Sequence, residues 1–296
     1  MKIELKNINK SFDKKHILKD ISFSIKSGRA LGFLGRNGAG KTTTIRILMD
    51  IFRGDTGEIL LDGKKFNREK YKIGYLPEER GMYQKVNILD QLIYFGELRG
   101  MSRKSAKESG EKLLKKLGIA EYANKKLETL SKGNQQKVQL AEALITDPDI
   151  IILDEPFSGL DPVNAQSLKN IIKENIAKDK IVIFSSHQMS QVEEFCQDIV
   201  FIKAGRIIKN CSLEELKSEY SGNKYIINTT DNDKLKKILE KNKISYYEEK
   251  EIIIENSNLL DIEKLILKND IVIEKIAKYQ KTLEEIFVEI EGDNNE

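Results

Sequence analysis

Short apolar runs alternate with longer amphipathic stretches along most of the chain. The runs have the length and the β-branched composition of buried strands, whereas the stretches repeat apolar residues at helical spacing. The pattern predicts strands at Ala30–Leu34, Ile73–Leu76, Ile150–Leu153, Ile181–Phe184 and Ile199–Ile202. It predicts helices at Thr42–Phe52, Ser105–Leu117, Gln135–Ile145 and Pro162–Ile176. Such alternation is typical of an α/β domain built around a largely parallel sheet.

The opening segment, Ile3–Ile25, follows a different pattern. Apolar and polar residues alternate there, as in a strand with one face on the core and the other in solvent. We therefore predict an antiparallel N-terminal sheet in addition to the parallel one.

The composition changes near Glu219–Lys224. All four prolines precede this segment, and the residues after Ser221 include no arginine and more acidic residues than lysines. This shift predicts two domains, 1–220 and 221–296. In the second domain the pattern predicts strand Tyr225–Asn228, helix Asp233–Lys241, strand Ile244–Tyr247, strand Ile252–Ile254, helix Leu259–Leu267 and strand Ile271–Ile276. This order predicts a small α+β ferredoxin-like domain.

Charge and cysteine content narrow the function classes. A net charge of +3 on 296 residues gives no electrostatic argument for binding nucleic acid. Cys196 and Cys211 share no metal-binding spacing with His16 or His187, and we interpret them as reduced thiols of a cytosolic protein. No apolar run approaches the ~20 residues that cross a bilayer, and the first residues lack the apolar core of a signal peptide. We expect any role at a membrane to depend on binding a protein that spans it.

A glycine-rich turn follows the predicted strand Ala30–Leu34. The residues Gly35-Arg36-Asn37-Gly38-Ala39-Gly40-Lys41-Thr42 match the phosphate-binding pattern G-x-x-x-x-G-K-[ST]. Glycines let backbone amides turn toward phosphate oxygens, and the positive end of the following helix faces the same anion. Lys41 can reach the β- and γ-phosphates, and the Thr42 hydroxyl can bind Mg²⁺. We predict that Gly35–Thr43, called the P-loop below, binds a nucleoside triphosphate rather than being a chance glycine-rich turn.

Two carboxylates end the apolar run Ile150–Leu153. Asp154 at the tip of a buried strand can supply a second Mg²⁺ contact, and Glu155 can orient or deprotonate an attacking water. A strand ending in acids is often only a solvated terminus. The P-loop nevertheless favours the catalytic interpretation, because both features are predicted at ends of strands in one sheet.

Four further motifs identify a family. Leu130-Ser131-Lys132-Gly133-Asn134-Gln135-Gln136 opens a predicted helix and resembles the L-S-G-G-Q signature of ABC ATPases. Ser158-Gly159-Leu160-Asp161 resembles the D-loop of that family, and His187 resembles its switch histidine. Phe12 stands where the family places an aromatic residue that stacks on adenine. Because the motifs keep the family's order and spacing over roughly 1–220, the chain resembles an ABC transporter ATP-binding protein.

The resemblance implies a fold and a dimer. The fold would be a P-loop NTPase of ABC type, with a parallel core sheet, an antiparallel N-terminal sheet and a helical subdomain that carries the signature. Two nucleotide-binding domains would face each other head to tail. Ser131, Gly133 and Asn134 of one domain would then close over ATP on the P-loop of the other. Simpler interpretations exist, because a serine before a helix is also an ordinary N-cap.

The resemblance also implies roles, cofactors and partners. Glu155, His187 and Lys41 would be catalytic, Phe12 would bind adenine, and the substrate would be ATP with Mg²⁺. The partners would be a multi-span membrane permease and a second nucleotide-binding subunit, either an identical copy or a paralogue. No nucleic-acid partner is expected. The protein would be cytoplasmic and peripheral, on the cytoplasmic face of the cell membrane.

Three positions depart from the family pattern, and besides Asn134 in the signature these are Glu78 and Lys132. Glu78, within Gly74–Gly81, occupies the Q-loop position, where most relatives carry glutamine; its carboxylate can still bind Mg²⁺ but adds negative charge near the triphosphate. Lys132 replaces a signature glycine. The residue sequences of both segments, together with Leu283–Phe287 near the end of the acidic tail, resemble those of the sodium-efflux and related export-type ATP-binding proteins.

Two other functions compete with a transport ATPase. A soluble ABC ATPase acting on ribosomes or DNA would typically carry a second cassette with a basic linker, a long coiled coil or a zinc module. This chain shows one uninterrupted cassette and an acidic appendage, which is a poor partner for a phosphate backbone. A catalytically inactive regulatory cassette is disfavoured because Lys41, Thr42, Asp154, Glu155 and His187 are all present.

Overall fold

The computed structural model of the protein describes residues 1–78, 81–157, 160–186, 188–248, 251–255 and 258–292, with the backbone alone at 162–164. The chain divides into two compact units, Met1–Leu213 and Glu214–Glu296. This division falls after the first residue of the helix Leu213–Ser221, whereas the composition placed the boundary at the end of that helix, between residues 220 and 221.

The secondary structure follows the α/β order expected of the sequence. The strands are β1 Lys2–Phe12, β2 Lys15–Lys26, β3 Ala30–Leu34, β4 Thr56–Leu61, β5 Lys64–Lys65, β6 Ile73–Leu76, β7 Ile150–Asp154, β8 Ile181–Ser185, β9 Asp198–Lys203, β10 Arg206–Ser212, β11 Lys224–Thr229, β12 Tyr246–Glu248, β13 Ile252–Glu255 and β14 Ile273–Lys278. The helices are α1 Lys41–Leu48, α2 Ile88–Leu98, α3 Arg103–Lys116, α4 Lys132–Leu144, α5 Pro162–Ala177, α6 Met189–Phe195, α7 Leu213–Ser221, α8 Asn232–Lys241, α9 Leu259–Lys268 and α10 Leu283–Gly292.

A six-stranded sheet forms the centre of the first unit, in the order β10-β9-β3-β8-β7-β6. Its strands are parallel except β10, which pairs antiparallel with β9 at the edge. Strands β3, β7 and β8 are buried along their whole length, which explains their continuous apolar runs. Because β8 lies between β3 and β7, the carboxyl ends of these three strands are neighbours at one edge of the sheet.

An antiparallel sheet in the order β2-β1-β4-β5 covers one side of this core. Alternate residues of β1 and β2, including Ile3, Leu5 and Ile21, are buried in a cluster with Leu31 and Ile152 of the parallel sheet. The alternation in the sequence therefore arises from one buried face. The predicted antiparallel N-terminal sheet is confirmed.

Helices α2, α3 and α4 pack together as a helical part of the first unit. Arg99, at the end of α2, donates from Nη1 to the Glu142 backbone oxygen of α4 at 2.7 Å and forms an ion pair with its carboxylate. Burial raises the pKa of Glu142, and Arg99 opposes this shift. The signature segment enters this part at the beginning of α4, as the family resemblance implied.

The second unit has a sheet of its own. Its order is β12-β13-β11-β14 with every neighbouring pair antiparallel, and this order confirms the ferredoxin-like arrangement. Helices α8 and α9 bury Leu235, Leu239 and Ile266 against Ile227 and Ile254 of the sheet. The unit therefore has a hydrophobic core drawn entirely from its own residues.

Some boundaries differ from those predicted. Helix α1 ends at Leu48 and not at Phe52, because Asp50 adopts a left-handed conformation with φ of 56° that a helix cannot continue. Strand β12 begins at Tyr246 rather than Ile244, whose side chain packs on the core of the second unit ahead of the paired segment. Within the described residues, no helix is both long enough and apolar enough to cross a membrane.

Candidate functional site

The P-loop connects β3 to α1 through a turn that only glycine fits at two positions. Gly35 has φ of 155°, and a Cβ placed there would lie 2.2 Å from the Ile202 carbonyl oxygen of β9. Gly40 has φ of 114°, and its Cβ would lie 2.6 Å from Leu18 Cδ2. Any larger residue would therefore displace the loop from the sheet. Helix α1 begins directly after Gly40, so its first amides face the loop.

The P-loop, Asp154, Glu155 and four residues of more distant segments line one cleft of about 290 Å³. The predicted site residues in its wall are Phe12, Arg36, Asn37, Gly38, Gly40, Lys41, Thr42, Thr43, Glu78, Asp154 and Glu155. Gly35 and Ala39 also belong to the P-loop, but both residues are buried. Lys15 and Ile17 also line the cleft, and the sequence analysis missed both.

Lys41 is the cation at the centre of this cleft. Its ammonium group donates to the backbone oxygens of Gly35 and Arg36, the latter at 3.3 Å. Burial lowers the pKa of the Lys41 ammonium group, and the negative charges of Asp154 and Glu155 oppose that shift. An anion in the cleft would meet a lysine that is partly desolvated and bonded to two backbone carbonyl oxygens.

The acids Asp154 and Glu155 lie at the end of β7 and are both buried. The Ser185 hydroxyl donates to Asp154 Oδ1, and the Ser186 hydroxyl lies 3.2 Å from Glu155 Oε2. Glu155 has φ of 48°, in the left-handed region that side chains other than glycine rarely adopt. Its backbone N–H donates to the Ser185 carbonyl oxygen at 3.0 Å, so β8 holds this strained residue in place.

The three predicted metal-binding residues share the same cleft wall. Thr42 and Asp154 offer hydroxyl and carboxylate oxygens, which are the ligands that Mg²⁺ prefers, and Glu78 adds an exposed carboxylate. Among the described residues, no group of three or more His, Cys, Asp or Glu side chains could hold a metal ion. The Thr42 hydroxyl and the Asp154 carboxylate fit Mg²⁺ by the chemistry of their oxygen donors, and phosphate and water oxygens would supply the other ligands.

Phe12 also lines the cleft, and 44% of its surface is exposed. Its ring is perpendicular to that of Phe52, with centroids 5.5 Å apart. Lys10 Nζ lies 5.4 Å from the Phe12 ring centroid and forms an ion pair with Asp55 at 2.7 Å. The ring is thus held from one side while much of its surface remains available to a flat ligand.

The signature residues do not line this cleft. Ser131 is the exposed N-cap of α4, and its side chain accepts a hydrogen bond from the Asn134 N–H at 3.3 Å, while Gly133 is buried. Farther along α4, Gln136 Nε2 donates to the Pro156 carbonyl oxygen at 3.2 Å. The signature helix is therefore bonded to the residue that follows Glu155.

Part of the predicted site lies outside the described residues. This applies to the switch histidine His187, to Ser158 and Gly159 of the D-loop, and to Glu79 and Arg80 after Glu78. The sequence analysis also missed Ser185 and Ser186, although they directly precede His187 and end the strand next to β7.

Comparisons with known proteins show which family the chain resembles. Residues 18–158 match the protein family described as ABC transporter. The chain is 44% identical over 215 residues to an uncharacterized ABC transporter ATP-binding protein of Methanocaldococcus jannaschii, covering 73% of this chain and 79% of that relative. It is 30% identical to the lipopolysaccharide export system ATP-binding protein LptB of Haemophilus influenzae, covering 72% of this chain and 91% of LptB.

The solved structures give the same assignment. The dimeric structure of a bacterial ABC transporter cassette matches with a TM-score of 0.64 and 26% identity, covering 71% of this chain and 98% of that one. This match covers less than the whole of this chain. With its P-loop cleft and these similarities, the chain belongs to the ATP-binding subunits of the ABC transporter family.

Proposed function

We propose that this chain hydrolyses Mg-ATP and uses the energy to drive export through a separate membrane permease. The observation that carries the proposal is the single cleft that joins the P-loop to Asp154, Glu155 and Phe12. A phosphate cradle, a cation, metal-binding oxygens and a buried acid are the parts that phosphoryl transfer to water requires.

The predicted site residues have distinct roles in this proposal. Lys41 exchanges its bonds to backbone oxygens for bonds to the phosphates, where a charged donor gains most. Thr42 and Asp154 hold Mg²⁺, which supplies positive charge against the developing negative charge. Glu155 orients the attacking water and accepts its proton, because it is a buried carboxylate beside the cradle. His187 contributes as the switch histidine.

A second subunit completes the site in this proposal. Ser131 is exposed at the N-terminus of α4 and does not line the cleft of its own chain, so it is available to a nucleotide bound elsewhere. The Ser131 hydroxyl and the amides of Gly133 and Asn134 would contact the γ-phosphate on the partner's P-loop. The dimeric form of the solved cassette supports this arrangement.

An exposed apolar surface of the helical part is a candidate permease contact. Tyr83, Val86, Tyr94 and Leu98 are 54%, 40%, 46% and 64% exposed, and the rings of Tyr83 and Tyr94 lie 6.4 Å apart. Exposed apolar groups that are clustered mark interaction sites. The surface follows Glu78 along the chain, so a permease bound there would be linked to the nucleotide cleft. The export direction is supported by the name of the relative LptB.

Reconstitution tests the transport role. The chain is placed in vesicles with a candidate multi-span permease, and ATP hydrolysis is measured with and without that permease. Leu98→Glu should abolish permease-stimulated hydrolysis while basal hydrolysis in solution stays unchanged. Leu260→Glu, at a 61% exposed leucine of the second unit, is the matched control.

Two results would contradict the transport proposal. One is equal permease stimulation in the Leu98 variant and in the unmodified protein, which would remove the proposed contact. The other is hydrolysis that responds to ribosomes or DNA and never to the permease, which would favour the alternative function.

A further inference from the structure

Two consecutive serines stand between the phosphate cradle and the catalytic acids. Ser185 is the last residue of β8 and Ser186 follows it, with exposures of 0% and 4%. Because β8 lies between β3 and β7, both serines are located where the P-loop and the acids meet.

Ser185 is bonded to the predicted metal ligand. It lies directly opposite Asp154 in the parallel register of β7 and β8, and its hydroxyl donates to Asp154 Oδ1. Both groups are buried, so water competes little for this hydrogen bond. The bond fixes the rotation of the carboxylate and thereby the direction that its oxygens present to the cleft.

Ser186 is bonded to the predicted general base. Its Oγ lies 3.2 Å from Glu155 Oε2 and 3.2 Å from Gln191 Oε1, and it accepts the Gln188 N–H at 3.1 Å. The single hydroxyl proton of Ser186 is therefore shared between Glu155 Oε2 and Gln191 Oε1, while the hydroxyl oxygen accepts the hydrogen bond from Gln188. Glu155 is also fixed at its backbone, by the left-handed φ and the bond to the Ser185 carbonyl oxygen.

We propose that Ser185 and Ser186 are positioning residues with separate tasks in the hydrolysis reaction. Ser185 orients Asp154 for the metal ion, and Ser186 orients Glu155 for the attacking water. This inference rests on the proposed ATPase function. The Ser185 hydroxyl should affect the Mg²⁺ requirement, and the Ser186 hydroxyl should affect the turnover number.

A purely structural role is the competing explanation, because buried hydroxyls commonly serve to pair buried polar groups. Ser221 provides a matched control for that case. It is 1% exposed, its hydroxyl accepts the Lys281 N–H at 2.9 Å, and it belongs to the other unit. Substitution at Ser221 should affect thermal unfolding alone.

The test compares Ser185→Ala, Ser186→Ala and Ser221→Ala in the full-length protein. Binding of a fluorescent ATP analogue is titrated with Mg²⁺, and steady-state ATP hydrolysis gives kcat and KM. Ser185→Ala should raise the half-saturating Mg²⁺ concentration about 10-fold, the usual effect of losing a partner of a metal ligand, with kcat nearly restored at saturating Mg²⁺. Ser186→Ala should lower kcat about 10-fold and leave KM and the Mg²⁺ titration within about twofold.

Conservative variants guard against loss of folding. Ser186→Thr keeps the hydroxyl and should restore most of kcat, and Ser185→Cys keeps the volume with a weaker donor and should give an intermediate Mg²⁺ requirement. If the alanine variants at 185 and 186 behave like Ser221→Ala in every titration while the unmodified protein hydrolyses ATP, the inference is wrong and the proposed function stands. If the unmodified protein neither binds nor hydrolyses Mg-ATP, the proposed function itself fails.

Discussion

Phe12 allows the predicted binding of the base to be tested separately from the binding of the phosphates. The ring is 44% exposed, lines the cleft, and is in contact with Phe52 and Lys10. Replacing Phe12 with leucine keeps a similar apolar volume but removes the flat face. Because a base stacked on an aromatic ring gains about 1–3 kcal/mol and leucine keeps part of the apolar contact, we expect a loss of about 1–2 kcal/mol. This corresponds to about 5- to 30-fold weaker ATP binding.

The same substitution should have a separate effect on folding. Loss of the perpendicular ring pair with Phe52 should cost about 0.5–1.5 kcal/mol of stability. Phe66→Leu is the matched control, because Phe66 stacks on Tyr71 with centroids 5.8 Å apart and does not line the cleft. This control should lower the unfolding free energy comparably and leave nucleotide affinity unchanged.

Titration calorimetry with two ligands measures this prediction. The dissociation constants of Mg-ATP and of Mg-bound inorganic triphosphate are measured for the unmodified protein and both leucine variants. Phe12→Leu should weaken ATP binding alone, because triphosphate has no base to stack. Equal weakening of both ligands, or of neither, would refute a base-stacking role for Phe12.

Three further predictions follow from other parts of the chain. Glu78→Gln should keep most Mg-ATP hydrolysis, because an amide oxygen can still bind the ion, whereas Glu78→Ala should raise the Mg²⁺ requirement. If the two variants hydrolyse ATP alike, Glu78 does not bind the ion and serves only as a link to the permease. A chain ending at Tyr220 should still bind Mg-ATP in a calorimetric titration and change mainly in dimerisation, because the second unit has its own core; complete loss of binding would contradict our domain division. Hydrogen bonds from Lys116 and Lys178 lower the pKa of Glu174 to about 2, so Glu174→Gln should cost below about 1 kcal/mol at pH 7 in urea unfolding. Because the lowered pKa contributes its full stability above the ordinary value of 4.5 and loses it as the pH falls toward the folded-state value, that difference should shrink below pH 4.5 and vanish near pH 2.

The chemistry of the site could be predicted wherever it depends on local sequence. The strand before the P-loop and the strand before Asp154 are buried on both faces, so each appears as an unbroken apolar run with its polar residues at the end. Their position in one sheet follows from the α/β alternation. The local sequence pattern therefore predicted both the P-loop and the acids at the end of β7.

Residues that enter the site through long-range packing could not be found in this way. Ser185 matters because of its register with Asp154, and register between strands far apart in sequence leaves no local signal. Ile17 reaches the cleft from β2, where its apolar character suggests only a core residue. The prediction that α1 continues to Phe52 was wrong for a similar reason. Phe52 continues the apolar spacing of the helix, but it packs on Phe12 after the helix has ended.

The turnover of Glu155→Gln tests the central claim most directly. This variant should bind Mg-ATP as the unmodified protein does and hydrolyse it about 10²- to 10⁴-fold more slowly, because the general base is lost. It should also accumulate as an ATP-dependent dimer in size-exclusion chromatography, whereas Lys41→Ala should lose ATP affinity itself. Near-normal turnover by Glu155→Gln would contradict the assignment of the buried acid at the end of β7 as the base that activates water.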